Sequence, residues 1–202
     1  MTRKITRIYN PSPIEKNTYI AHTEKKVLSM GRMTDEKGFD MLLKAWAIVE
    51  SRNTDWTLEI VGEGPLEASL KELHAKLGLK RVVFSPFTSN PEKKYREASI
   101  YVMSSRHEGF PLVLLEAANM SLPIVSFDCN NGPREIVHDG VNGFLVAPGD
   151  INAMAGKILE LIDSEDERLT ISENALLTMK AFRMENVILE WKRLIASLTT
   201  TC

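Results

Sequence analysis

Cysteine is scarce in this chain of 202 residues: only Cys129 and Cys202 occur, too far apart to suggest a metal clamp or a redox pair. An excess of charge of one sign is also missing. Lysine and arginine (25) nearly balance aspartate and glutamate (27), and the formal charge of −2 gives no electrostatic reason to expect nucleic acid. No apolar run is long enough to cross a bilayer; the best stretch, Met41 to Val49, is broken by Lys44. The start of the chain is polar and basic without the apolar core of a signal peptide, so the cytoplasm is the expected compartment. Phosphate-binding signatures are lacking too. No Gly-x-Gly-x-x-Gly follows the first strand and no Gly-Lys-Ser/Thr loop occurs, which removes the main support for a dinucleotide dehydrogenase or a nucleoside triphosphatase. There is no Asp-x-Asp pair at a strand end and no histidine cluster, so no metal and no cofactor is expected. Internal repeats and low-complexity segments are absent.

From Val27 onward, short apolar strand-like runs alternate with helical periodicity. That alternation predicts an α/β domain, a doubly wound parallel Rossmann-like sheet of about six strands with helices on both faces. The expected strands are Val27–Gly31, Thr57–Val61, Val82–Phe84, Ser99–Met103, Pro123–Phe127 and Phe144–Val146. Pro65 is expected to open the helix after the second strand, where its missing N–H is harmless. Asp150 is expected to cap a helix to about Asp163, and the final third is helical, from Glu165 to about Lys180 and from Met184 to Leu198. Residues 1–26, with scattered cations, Asn10-Pro11-Ser12-Pro13 and no sustained period, read either as a basic arm for an anionic surface or, favoured because the cations are spread out, as a linker or the remnant of an upstream domain. Residues 27–198 form the expected domain and 199–202 a tail.

The most informative stretch runs from Ser105 to Ala117. Glu108 and Glu116 stand eight residues apart, with Gly109-Phe110-Pro111 after the first and an apolar helix from Leu112 carrying the second. A strand, a glycine turn and a helix start build the ligand crevice of open α/β sheets. Two carboxylates facing one crevice suit a ligand rich in hydroxyls, a sugar or a ribose, because each oxygen accepts from an O–H. His107 adjoins Glu108 but sequence adjacency does not make an acid–base pair, and it is not expected to be catalytic. Gly31-Arg32 to Lys37-Gly38 follows the first strand, where a helix start and two cations suit phosphate. Gly62-Glu63-Gly64-Pro65 and the run Val82 to Phe87 fit either a flat ligand or plain turns and core, and Asn130 to Glu135 a phosphate, a sugar or a turn.

In this order, these segments resemble the C-terminal, donor-binding domain of retaining glycosyltransferases of family 4, of the two-Rossmann-domain GT-B type. The resemblance runs from about Val27 to Leu198 and includes Asp139-Gly140-Val141-Asn142-Gly143-Phe144-Leu145-Val146. It implies a nucleotide-sugar donor, with UDP as the commonest base, and transfer of a sugar to a glycan or lipid-linked acceptor. Arg32 and Lys37 would bind the diphosphate and stabilise the charge that grows as the sugar leaves. Glu108 would hold hydroxyls of the donor sugar, counted with Arg32 and Lys37 as catalytic. Backbone from Gly109 through Phe110 and Pro111 to Leu112 would reach sugar and phosphate, Glu116 would take the ribose, and Gly64 and Phe87 would lie beside the base. Pro86 stands where the family usually has glycine, limiting approach to the base, and Asn130-Asn131-Gly132-Pro133 replaces a more usual glycine pair. The resemblance also implies a missing N-terminal acceptor domain, contacted by the helix Met184–Leu198, so this chain would be a fragment with little activity, peripheral to a membrane through that domain. A non-catalytic nucleotide-sugar-binding module or partner subunit uses the same crevice. A glycoside hydrolase is disfavoured, because both acids approach from one side of the ligand.

Overall fold

The computed structural model describes residues 5–14 and 22–199. Residues 1–4 and 15–21 of the expected linker, and 200–202 of the expected tail with Cys202, lie outside the described residues. Six strands form one sheet: β1 (Lys26–Met30), β2 (Thr57–Val61), β3 (Val82–Ser85), β4 (Ile100–Met103), β5 (Ile124–Phe127) and β6 (Gly143–Val146). Every neighbouring pair is parallel, in the order β3-β2-β1-β4-β5-β6. Strand order reverses between β1 and β4, the switch point at which such sheets open a crevice beyond their carboxyl ends.

Eight helices connect or follow the strands: α1 (Phe39–Arg52), α2 (Glu67–Lys76), α3 (Pro91–Arg96), α4 (Leu112–Asn119), α5 (Pro133–Ile136), α6 (Ile151–Asp163), α7 (Glu165–Thr178) and α8 (Met184–Thr199). Side chains alternate across each strand, so the sheet feeds two cores. Val27, Ile100 and Val102 pack under α1 and α6, with Trp46, Leu42 and Ile158 fully buried. Leu28, Tyr101 and Met103 face the other way, against Tyr95 of α3 and Leu114, Leu115 and Ala118 of α4. A sheet covered on both faces explains why its strands are mainly apolar, with Ser29, Glu59 and Ser126 as buried polar interruptions.

Three expectations need correction. Pro65 does not open α2, which starts at Glu67; the Leu66 N–H donates to the Met33 carbonyl at 3.0 Å, holding Pro65 and Leu66 in a turn docked on the loop after β1. Lys26 belongs to β1, opposite Thr57, and not to a linker. α7 ends at Thr178 and passes into a 3-10 turn, Met179–Phe182. The segment 5–14, patternless in sequence, is docked. Tyr9 stacks on Phe110 with ring centroids 5.6 Å apart, the Ser12 N–H donates to the Phe182 carbonyl at 2.9 Å, and Asn119 Nδ2 donates to the Ile14 carbonyl at 2.8 Å. α8 buries Val187 and exposes Ile188, Leu189, Trp191 and Ile195.

Candidate functional site

The loops after β1 and β4 are stitched together at the switch point. Arg106 reaches across from the β4 loop: Nη1 lies 2.8 Å from Asp40 Oδ1, Nη2 donates to Asp40 Oδ2 at 2.9 Å, and Nη1 donates to the Asp35 carbonyl at 2.7 Å. Its backbone N–H donates to the Glu36 carbonyl at 2.7 Å, and Ser104 Oγ donates to the Lys37 carbonyl at 2.9 Å. Burial raises the Asp40 carboxyl, but the hydrogen bonds and charge of Arg106 outweigh it and leave the group below its ordinary value. Gly38 is required where these loops touch. Its φ is +61°, and a Cβ there would lie 2.1 Å from the Ser104 carbonyl oxygen.

This stitching sets Lys37 against Glu108. Lys37 Nζ donates to Glu108 Oε1 at 2.7 Å, and Ser105 Oγ donates to the same oxygen at 2.6 Å. The Glu108 side chain is 10% exposed and that of Lys37 28%, so the pair is shielded from open solvent; neither residue lines the neighbouring cavity, but the Lys37 stem packs on Gly31, which does. Two of the three donors on the ammonium remain beyond this bond.

Beside the pair lies a cavity of about 630 Å³, lined by Arg32, Glu63, Phe87, Thr88, Val113 and Glu116 among others. Glu116, one turn into α4, points its Oε2 at the Tyr95 hydroxyl, which donates to it at 2.6 Å. Burial raises the Glu116 carboxyl, and the Tyr95 hydrogen bond opposes this only in part. The Phe87 side chain is 72% exposed, and its N–H donates to Glu63 Oε1 at 3.3 Å, tying the β3 loop to the β2 loop. α4 starts at Leu112 behind Pro111 with no side-chain cap; the Leu114 N–H donates to the Pro111 carbonyl at 2.9 Å, and the N–H groups of Leu112 and Val113 ahead of it lack intrahelical acceptors and can meet an anion. A second hollow of about 260 Å³ is lined by Gly109, Phe110, Asn131, Gly132, Tyr9 and Glu135 among others. Among the described residues, no group of three or more His, Cys, Asp and Glu is placed to hold a metal ion, and no helix is long and apolar enough to cross a membrane.

The sequence profile described as "Glycosyl transferases group 1" matches residues 12–177. The chain belongs to this family. It is 36% identical over 196 residues to an uncharacterized glycosyltransferase of Haemophilus influenzae, covering 96% of this chain and 56% of that protein. It is 34% identical over 179 residues to the amylovoran biosynthesis glycosyltransferase AmsD of Erwinia amylovora, covering 87% of this chain and 49% of AmsD. Among solved structures, a Staphylococcus aureus TarM mutant in complex with Fondaparinux, alpha-GlcNAc-glycerol and UDP matches with a TM-score of 0.81 at 26% identity, over 94% of this chain and 38% of that one. The C-terminal domain of the group 1 family protein LpcC of Francisella tularensis matches with a TM-score of 0.73 at 26% identity, over 88% of this chain and 97% of that one. The chain spans about half the length of the curated relatives it matches.

Within this group 1 transferase fold, the structure brings Arg32, Phe87 and Glu116 to one cavity and Gly109 and Phe110 to the neighbouring hollow. Lys37 and Glu108 join the loop after β1, which carries Arg32, to the loop after β4, which carries Gly109 and Phe110. Lys37 does not pair with Asp40 or Glu36, the surface partners its sequence neighbourhood offers. The Phe110 ring turns toward Tyr9 and Phe182. Pro111 is buried at the start of α4 and Leu112 is exposed there. Gly64 packs on Met33, whose carbonyl oxygen would lie 2.5 Å from an added Cβ, so its smallness serves the contact between two loops. Sequence reasoning missed Ser105, Tyr95, Arg106 and Glu63. Ser105 and Arg106 lie in the motif stretch and Glu63 in a quoted turn, but Tyr95, Arg106 and Glu63 act on partners more than twenty residues away, which no local pattern reveals.

Proposed function

We propose that this chain is the donor-binding, C-terminal domain of a retaining family 4 glycosyltransferase of hexosyltransferase type. It takes a nucleoside diphosphate sugar, with UDP as the base, and passes the sugar to a glycan or lipid-linked acceptor. The observation that carries this reading is the switch-point cavity with Arg32 and Glu116 on its walls and the Lys37–Glu108 pair beside it. A diphosphate meets Arg32, the remaining donors of Lys37 and the N–H groups at the start of α4. Cations and helix N–H groups aimed at the departing diphosphate stabilise charge where it develops, and each such contact is worth about 3 kcal/mol. Glu108, anchored by Lys37 and Ser105, keeps an oxygen for sugar hydroxyls. Glu116 takes the ribose, and Phe87 lies beside the base. Charge neutralisation by these groups needs no metal.

UDP in the TarM structure, at 26% identity, supports the choice of base. The near-complete match to an excised LpcC C-terminal domain supports the domain assignment. The acceptor domain is the missing partner, the exposed apolar side of α8 is the surface it covers, and the full enzyme is cytoplasmic and peripheral to the membrane through it. Alone, the chain binds donor weakly and turns over little. Differential scanning fluorimetry with UDP, GDP and ADP tests the reading. UDP raises the melting temperature, and Lys37→Ala or Glu116→Ala removes the shift. A folded sample that responds to none of the three nucleotides overturns it.

A further inference from the structure

Tyr95 stands behind the crevice wall on α3, an element that carries no family motif; its hydroxyl lies 2.6 Å from Glu116 Oε2 and, more distantly, 3.5 Å from the Val113 carbonyl oxygen. Its side chain is completely buried, and its ring lies 5.7 Å from that of Tyr101. Tyr101 in turn accepts from the Met30 N–H and donates to the Met30 carbonyl, both at 3.3 Å, at the end of β1. α3 is short, and it is pinned on its other side by the ion pair between Lys94 and the buried Glu59 of β2, to which Ser85 Oγ also donates at 2.6 Å. The Tyr95 hydroxyl is therefore fixed by sheet and helix together before any ligand arrives. Burial above all holds its phenol well above the ordinary range, so it stays protonated and acts as a donor.

We infer that Tyr95 is a positioning residue for Glu116: by occupying Oε2 it locks the carboxylate so that Oε1 alone faces the cavity, and this fixed oxygen selects ribose over deoxyribose. The inference rests on the assignment of Glu116 to the ribose made above. A carboxylate on a long side chain has several rotamers, and holding one of them removes the entropy a diol would otherwise have to overcome. One oxygen already bonded and one free also directs a single acceptor at the sugar edge of the nucleotide. Without the tyrosine hydroxyl, Glu116 turns toward whichever donor is nearest and loses this selectivity.

Isothermal titration calorimetry of the full chain with UDP and with 2′-deoxy-UDP separates positioning from support. Tyr95→Phe keeps the ring and its packing, and a melting curve checks its fold. It is expected to weaken UDP about tenfold while changing 2′-deoxy-UDP by less than about twofold, bringing the two affinities together. In a Glu116→Ala background the same substitution is expected to have no further effect on either ligand. Equal weakening of both ligands by Tyr95→Phe, or unchanged affinity for both, overturns the inference. If Glu116→Ala itself leaves the ratio of the two affinities unchanged, the ribose assignment fails, and that result is distinct from failure of Tyr95 alone. Should Tyr95→Phe not fold, incorporation of 3-fluorotyrosine at position 95 strengthens the donor without removing it. The UDP to 2′-deoxy-UDP ratio then has to change by more than about twofold for the inference to stand.

Discussion

Replacing Arg106 by alanine removes the clasp between the two crevice loops, and its effect can be worked from the contacts. The guanidinium makes a two-pronged contact with Asp40 at 2.8 and 2.9 Å and donates to the Asp35 carbonyl at 2.7 Å. Both charged partners are about one-third exposed or a little less, so solvent screening caps the ion pair near ~1 kcal/mol. The bond to the carbonyl adds about 1 kcal/mol. Asp40 is not stranded, because Lys44 Nζ remains 3.7 Å from Oδ2. The sum, about 2 kcal/mol, lowers the melting temperature of a domain this size by about 4–8 °C. Lys37 keeps its bonds to Ser104 and Glu108, so UDP binding weakens by only about fivefold, through loosening of the loop. The pH dependence is specific. Asp40 is depressed in the folded protein, so its contribution is complete above the ordinary aspartate value of about 3.9 and is lost as pH falls through the folded value. Melting curves of wild type and Arg106→Ala should differ most at neutral pH, and the gap should shrink in acid to the share carried by the pH-independent bond to the Asp35 carbonyl. A gap of less than about 1 °C at neutral pH, or a gap that does not shrink as pH falls through the depressed Asp40 titration, refutes the reasoning.

Gly132→Ala places a Cβ 2.5 Å from Pro111 Cδ and 2.9 Å from the Gly109 carbonyl oxygen, at a φ of +93°. Strain and overlap together cost about 3 kcal/mol, seen as a fall of about 6–12 °C in melting temperature by calorimetry, and the displaced start of α4 also reduces the UDP shift. Glu116→Gln should have opposite effects on stability and on binding. The Glu116 carboxyl is raised in the folded state, chiefly by burial, so the protein is relatively stabilised below the unfolded value and loses that advantage as pH rises through the folded one. The neutral glutamine therefore raises the melting temperature at neutral pH, fades to no effect in acid, and abolishes the UDP response; a lower melting temperature at neutral pH would contradict the burial argument.

The order of strands and helices was readable because each element reports its own burial. β1, β2 and β4 are covered on both faces and appear as short, mainly apolar runs, with Ser29 and Glu59 as buried polar interruptions, while α1 and α6 carry apolar residues at helical spacing on a polar background. The Asp150 cap was equally local, and its side chain accepts from the Ala153 N–H. Features set by distant partners were not readable. The turn at Pro65 depends on Met33, and segment 5–14 depends on Phe110, Asn119 and Phe182, more than ninety residues away. Within the site, the residue types near Glu108 and Glu116 were visible in the motif. Of the groups that orient them, Lys37 was visible as a cation after β1, but its bond to Glu108 was not, and Tyr95 comes from α3, where no spacing rule links its hydroxyl to the Glu116 carboxylate.

α4 presents Glu116 on one side while Leu114, Leu115, Ala117 and Ala118 on the others are fully enclosed. Its grip is thus welded to the interior, and any change of contour there disturbs the whole fold. The side chains of Phe87, Thr88 and Ser89 hang from a connecting loop across the same cavity and can be exchanged at small structural expense. Diversification of ligand preference in this scaffold is therefore channelled to the far bank, while the helix bank stays constant.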